Sequence, residues 1–286
     1  MTNFFAFAIC FTLLLTLLVW GARLRVRREL HHVKVTLLTC IFVGLVLCAW
    51  WFLTRGETIE QRILPPLIMP APMEVIAAFP RLHFEQELVR SALRSFQRVT
   101  AGFAIAAILA VPLGVYMASY SGVAAFFRPL ALVGAYVPIV VFIPLTLAWF
   151  GSNETQKLAF LAIGCFVALL PLVIRAVDEV PRAYLDVAVT KGATQWQLVW
   201  DVLFPVAQAQ IWENLRAVYG VGWGWIILAE VVNAESGLGY LMSLSERRGH
   251  TNATFAIIIV IVLIAIACDQ LWRFGARLLF PYKYCA

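Results

Sequence analysis

The chain has 286 residues, 62% hydrophobic and 13% charged, with a formal net charge of +6. That apolar fraction is more than one water-soluble core can bury, which excludes an ordinary soluble domain. The basic residues cluster beside the apolar runs, as in the cytoplasmic loops of a membrane protein, so the charge argues topology and not nucleic-acid binding.

A bilayer-spanning helix needs about 20 mostly apolar residues. Seven runs meet that length or come close to it: residues 1–22, 35–54, 99–127, 129–153, 158–174, 217–234 and 249–268, with Glu230 the single charge inside the sixth. The expected fold class is therefore all-α, a polytopic transmembrane helical bundle of about seven spans. Residues 1–20 lack a basic leader and a small-residue cleavage site, so this run reads as a retained span. The densest basic cluster follows it, Arg23, Arg25, Arg27, Arg28 and Lys34. It places the first loop in the cytoplasm and the N-terminus outside, and alternation then puts the tail with Arg273, Arg277 and Lys283 inside.

Residues 55–97 form an external loop. Pro65, Pro66, Pro70, Pro72 and Pro80 forbid one continuous helix through its first half. A short helix over residues 73–79 opened by Pro72 and an amphipathic helix over 84–95 leading into the third span are expected. The division is thus 1–54, two N-terminal transmembrane helices with a basic cytoplasmic loop; 55–97, the external loop; and 98–286, the transmembrane core, with a cytoplasmic loop at 178–216. Cys40, Cys48, Cys165 and Cys268 lie in predicted spans without C-x-x-C spacing and read as packing residues.

The 178–216 loop carries the most informative local pattern. Pro181 suits a first helical turn, with Leu185, Ala188, Val189 and Gly192 on one face. Gly192 suits a left-handed closing residue, and Thr194 with Gln197 three positions on makes a capping box for a second helix that Pro205 ends. Its polar face is mixed, Asp186, Thr190, Thr194, Gln195, Gln197 and Asp201 against Arg182 and Lys191. Such a face suits docking a protein better than lying on anionic lipid.

Asp186-Val187-Ala188, then Gly192, then Leu203-Phe204-Pro205 resembles the EAA loop of type I ABC importer permeases, with Asp in place of Glu and Val in place of Ala. Leu64-Pro65-Pro66, Val111-Pro112-Leu113-Gly114, Trp149-Phe150-Gly151, Gly192-Ala193-Thr194, Ala229-Glu230 and Ser236-Gly237-Leu238-Gly239-Tyr240 resemble the nitrate, sulfonate and taurine branch. The resemblance spans residues 60–284 and implies a multi-pass inner-membrane permease working with two cytoplasmic ABC ATPases, a second permease copy and an external solute-binding protein. A small anion such as nitrate, sulfonate, taurine or bicarbonate is the implied solute. No G-x-x-x-x-G-K-[ST] loop occurs in the sequence, so ATP and Mg fall to the partner ATPase, and this chain is expected to be neither an enzyme nor a cofactor carrier.

On that reading Asp186, Ala188, Gly192, Thr194, Gln195 and Pro205 couple the chain to the ATPase. Glu230 lies about 22 Å along the sixth span at about 1.5 Å per residue, so it either reaches the outer headgroups or serves as a gate or helix-pairing contact beside the path, with Trp223. The Gly220-x-x-x-Gly224 spacing allows close helix packing. His31 and His32 have no partner at metal spacing, so no metal site is expected. The alternative of another class is an ion-coupled secondary transporter or channel, which calls for several mid-membrane charges or an internal repeat.

Overall fold

A computed structural model describes residues 12, 32–56 and 62–283, and among these there is no strand. The chain divides into Met1–Arg55 and Gly56–Ala286. In the first unit, helix α1 (His32–Thr54) is long and apolar enough to cross a membrane. The run at 1–22 lies outside the described residues except for Thr12.

The second unit contains helices α2 (Pro72–Phe84), α3 (Leu88–Ser119), α4 (Ser121–Tyr136), α5 (Phe142–Phe150), α6 (Glu154–Asp178), α7 (Arg182–Thr190), α8 (Phe204–Asn233), α9 (Leu238–Arg247) and α10 (Thr251–Leu279). Helices α3, α6 and α10 are of spanning length, as is the continuous stretch Gln195–Val232 that contains most of α8. Together with α1 that makes five spanning candidates among the described residues.

The run at 129–153 departs from a single straight span. Its chain turns through Pro138 and a 3-10 segment, Ile139–Val141, into the nine residues of α5, so this crossing is a broken one. Irregular backbone at membrane depth is tolerated where protein covers it, and Ile139 is covered by α6: a Cβ on Gly164 would meet its Cδ1 at 2.7 Å. The third span also differs from expectation at both ends. It begins at Leu88 as one helix with the predicted amphipathic segment, after a break in which Glu87 takes a left-handed φ of 50°. It stops at Ser119, where Tyr120 is extended, and a new helix starts at Ser121. Pro72 opens α2 as expected, but that helix continues past Pro80 to Phe84; at that point Pro80 only deprives the preceding turn of one N–H donor.

The core is built on α3 lying parallel to α6, the most extensive helix pairing in the unit. Two glycines of α3 make the approach possible. A Cβ on Gly102 would meet the backbone oxygen of Leu158 at 3.3 Å, and one on Gly114 would meet Val173 Cγ1 at 2.7 Å. Helix α8 runs back across both, and Phe160, Ile143 and Ala229 pack together where α5, α6 and α8 meet. The bundle therefore has two ends. One carries the first residues of α3 and α6, the last of α8, and α2 and α9; the other carries α7, the stretch Gln195–Leu203 and the last turns of α3, α6 and α10.

The expectation that Gly220 and Gly224 pack two helices together is not met within this chain. Neither would bring a Cβ within 4 Å of another group. They lie on the face of α8 turned away from α3 and α6. The neighbouring Gly222 and Trp223 occupy the packed face, where a Gly222 Cβ would meet Cys165 Sγ and Val99 Cγ1 at 3.7 Å.

Candidate functional site: a coupling turn and a caged carboxylate at opposite ends of one helix

Helix α7 begins after Pro181, whose extended backbone stands in the N-cap position. It closes as the sequence pattern predicts: Gly192 has a φ of +82°, its N–H donates to the Val189 carbonyl at 2.9 Å, and the Ala193 N–H reaches back to the Ala188 carbonyl at 3.0 Å. These are the bonds of a helix closed by a left-handed glycine. Thr194 then caps the next turn. Its N–H donates to Gln197 Oε1 at 2.9 Å, while the Gln197 N–H donates to Thr194 Oγ1 at 3.4 Å, so two otherwise orphaned donors are satisfied reciprocally.

Pro205 does not end this second helix. The turn over Leu198–Leu203 is widened to a π-helix, with the Phe204 N–H bonding the Val199 carbonyl five residues back. The backbone is already re-registered where Pro205 lacks its donor, so the helix carries on without a break to Val232. Trp200 in the widened turn packs on Tyr116 near the end of α3 and on Trp196 and Phe204, which ties the element to the bundle.

What the element leaves outward is apolar as well as polar. Tyr184, Val187, Val189 and Trp196 are each more than half exposed, and Asp186, Thr194 and Gln195 are exposed beside them. Leu185 and Ala188 are half-buried toward the bundle. Of the residues assigned to this element from sequence, the structure brings Ala188, Gly192 and Thr194 together in one turn with Asp186 and Gln195 flanking it, and it places Pro205 past the widened turn.

Glu230 sits near the far end of the same continuous helix and is fully buried. Its carboxylate points into the protein and not toward the surface of the bundle. Its carboxylate accepts hydrogen bonds from Ser95 Oγ at 2.8 Å, from Arg98 Nη1 at 2.7 Å and from the Gly239 N–H at 2.9 Å. Arg98 is 3% exposed, and it spends its remaining donors on Glu154 Oε2 at 2.7 Å, on the Ser236 carbonyl at 2.6 Å and on Ser236 Oγ at 3.1 Å. The Ser95 hydroxyl in turn accepts from the Leu238 N–H at 2.9 Å. Buried Lys157, one turn into α6, lies within electrostatic reach and completes a set of two cations and two carboxylates.

Close glycines shape this cage. A Cβ on Gly237, at φ +117°, would collide with the Glu230 carboxylate, and one on Gly239 would meet the Ile227 backbone oxygen at 2.8 Å. The Ser236–Gly239 loop can lie against the carboxylate only because these two positions carry no side chain. Four chain segments are thereby fastened to one another: α3 through Ser95 and Arg98, α6 through Glu154, α8 through Glu230, and the loop entering α9. A buried ion pair of this kind survives its desolvation because nearly every polar atom has a partner.

Arg98 was not among the residues singled out from sequence. The signal was present: Arg90, Arg94 and Arg98 recur every fourth residue into an apolar run, and a lone carboxylate in a span calls for a cation. Trp223, assigned to the path, is 2% exposed and packs against Phe96 on α3, so it lines no open channel within this chain. At the α7 end a second network joins Arg216 to Asp269 and Glu213, each at 2.6 Å, with Arg273 also on Asp269 at 2.9 Å. It ties α8 to α10.

The sequence profile of the family described as binding-protein-dependent transport system inner membrane component matches residues 110–278. The taurine transport system permease protein TauC of Escherichia coli is 26% identical over 245 residues, covering 84% of this chain and 87% of that protein. The putative ABC transporter permease MJ0413 of Methanocaldococcus jannaschii is 29% identical over 223 residues, covering 76% and 84%. The putative aliphatic sulfonates transport permease SsuC of Bacillus subtilis is 24% identical over 221 residues, covering 77% and 80%. Among solved structures, the MetNI methionine ABC transporter in an inward-facing form superposes with a TM-score of 0.60 at 17% identity, covering 66% of this chain and 94% of that one.

Proposed function

The chain belongs to the family of binding-protein-dependent transport system inner-membrane components, and from that premise we propose that it forms one half of the solute path of an ABC importer and is driven through the α7 element. It is a multi-pass inner-membrane permease that works with an ATPase and a binding protein, and it is not itself an enzyme. The relatives favour this reading over an ion-coupled carrier or channel.

The observation that carries the coupling assignment is the rigid turn at Gly192 and Thr194, which holds Tyr184, Val187, Val189 and Trp196 outward at one end of the bundle. Exposed apolar side chains on a short, well-capped element are the mark of a docking surface. In this assignment Asp186 and Gln195 meet polar groups of the ATPase, and Ala188 and Gly192 allow close approach. Pro205 stiffens the passage into the span. ATP and Mg are bound by the partner, with two ATPases per importer. The α7 end faces the cytoplasm, with the N-terminus outside and the C-terminus inside.

A second copy of the chain completes the path. The exposed face of α8 with Ala217, Gly220, Val221, Gly224 and Leu228 is where the small residues expected to pack helices find a partner. The transported solute is a small anion of the sulfonate or taurine type, the kind named for the relatives. The test is co-purification. The wild-type permease is expected to bring down its ATPase, and Gly192→Trp to lose it while remaining in the membrane at normal yield. Retention of the ATPase by that variant would refute the assignment.

A further inference from the structure

The α7 end of the bundle carries a further surface, on α10, that neither the coupling turn nor the caged carboxylate uses. The outward face of α10 is apolar through Ile258, Val262 and Ile266, all exposed, and then changes character. Gln270, Arg273 and Arg277 continue the same face, because residues three, four or seven apart on a helix lie above one another. At about 1.5 Å per residue Arg273 stands about 33 Å along the helix from Thr251, just beyond a hydrocarbon core about 30 Å thick. The apolar stripe therefore lies among acyl chains, and the two arginines lie at the level of lipid phosphates.

The basic groups here outnumber the acids. Residues 270–286 contain Arg273, Arg277 and Lys283 and no acid. Arg277 and Lys283 are exposed and form no ion pair among the described residues, while Arg273 gives one Nη to Asp269 at 2.9 Å. The backbone that carries them is fixed to α8. Phe280 is buried against Trp212, the Trp212 Nε1–H donates to the Trp272 carbonyl at 3.1 Å, and a Cβ on Gly275 would meet Trp212 Cζ2 at 2.9 Å. The Lys283 N–H then bonds the Phe280 carbonyl at 3.1 Å, which keeps the lysine within one turn of the end of α10.

An apolar stripe leading into a preorganised basic cluster matches a molecule with acyl chains and a negative headgroup. Guanidinium groups grip phosphate oxygens in pairs, and basic side chains at this depth favour anionic over zwitterionic lipid. We propose that α10 holds an anionic phospholipid, its phosphate between Arg273 and Arg277 with Lys283 beside them, and its acyl chains along Ile258, Val262 and Ile266. Asp269 also binds Arg216 of α8 at 2.6 Å, so the headgroup brings negative charge to the α8–α10 junction, where cations are in excess, and stabilises it. The site needs only that α10 spans the bilayer. That it lies in the cytoplasmic leaflet rests on the orientation given under the permease reading.

The purified permease in detergent, offered phosphatidylglycerol and phosphatidylcholine with the same acyl chains, tests the site. Native mass spectrometry of the wild type is expected to show phosphatidylglycerol retained at least tenfold over phosphatidylcholine. Phosphatidylglycerol should also raise the thermal midpoint, and glycerol 3-phosphate should not. Arg277→Ala combined with Lys283→Ala is expected to bring the preference to within about twofold, while Arg175→Ala combined with Arg182→Ala, exposed cations at the same end, leaves it unchanged. Arg277→Gln alone should lower the preference about fivefold and serves if the first double variant fails to fold.

Equal retention of the two lipids by the wild type overturns the site. So does an equal loss of preference in both double variants, which would mean diffuse attraction to net charge. A rise in midpoint with glycerol 3-phosphate as large as with phosphatidylglycerol overturns the lipid as occupant. Gln270→Cys, in a background free of the native cysteines, forming a disulfide-linked dimer in membranes would show a second copy on this face and overturn it as well. None of these outcomes bears on the permease reading, which co-purification of the ATPase tests separately.

Discussion

At the end of the bundle carrying α9, the charged side chains around Glu230 are turned toward one another. Arg98 and Glu230 are packed among Ser95, Ser236 and two backbone N–H groups beside buried Lys157, exposed Glu154 closes on Arg98 from the rim, and Glu230 has no exposed surface. At the end carrying α7, Tyr184, Val187, Val189 and Trp196 stand in the open on a turn whose own backbone is fully capped. The first region satisfies its groups within the chain, so its integrity belongs to the fold. The second is ordered but leaves apolar surface unburied, and this is the surface proposed to receive the ATPase. Substitutions should divide along this line, with those at the caged end costing stability and those at the α7 end costing assembly.

The largest expected effect is at Arg98. Arg98→Ala strands Glu230 without its cation, and breaking one side of a buried pair costs about 3–5 kcal/mol. Thermal unfolding of the purified permease in detergent should show it as a large drop in midpoint or as loss of folded protein. A near-normal midpoint would mean that the pair is not buried as described. Next comes Gly239→Ala, which places a methyl 2.7 Å from Glu230 Cβ and should cost about 1–3 kcal/mol through overpacking in the same assay. At the other end, Val187→Asp with Tyr184→Asp should stay within about 0.5 kcal/mol per site, as surface changes do, yet lose the co-purifying ATPase. An equal loss of stability in this pair would erase the contrast between the two regions.

The smallest effect concerns the edge of the caged end, where Arg62 hydrogen-bonds the Glu74 carboxylate at 2.8 Å and holds its pKa below the usual carboxylate value. A lowered pKa means that ionised Glu74 stabilises the fold above the unfolded value of about 4.5 and that this contribution fades as pH falls through the lower folded value. Hydrogen exchange of α2 should therefore quicken below about pH 4.5 in the wild type and change less with pH in Glu74→Gln. Because Glu74 is 37% exposed, the effect should be modest.

How legible each region was in the sequence follows from the range of its interactions. The α7 turn was readable because its determinants are local. Gly192 demands a left-handed backbone, and Thr194 and Gln197 stand three residues apart, as a capping box requires. Glu230 stood out as a lone charge in an apolar run that calls for a cation, but its partner Arg98 lies 132 residues away, and a single sequence does not say which of Arg90, Arg94 and Arg98 meets it. The α3–α6 seam was missed for a similar reason. Gly102 and Gly114 mark it on α3, while the more conspicuous Gly220 and Gly224 face away from the chain's own helices. Pro205 read as a stop because a proline interrupts a regular α-helix, whereas the structure places a widened turn just ahead of it.

The proposed coupling requires the α7 turn to face the cytosol and to be covered by the ATPase, and Gln195→Cys in a background free of the native cysteines tests this directly with a membrane-impermeant maleimide. The account predicts no labelling from the outside of intact cells, labelling in inside-out vesicles, and protection there when the ATPase is bound. Labelling from the outside, or an equal rate with and without the ATPase, would contradict it.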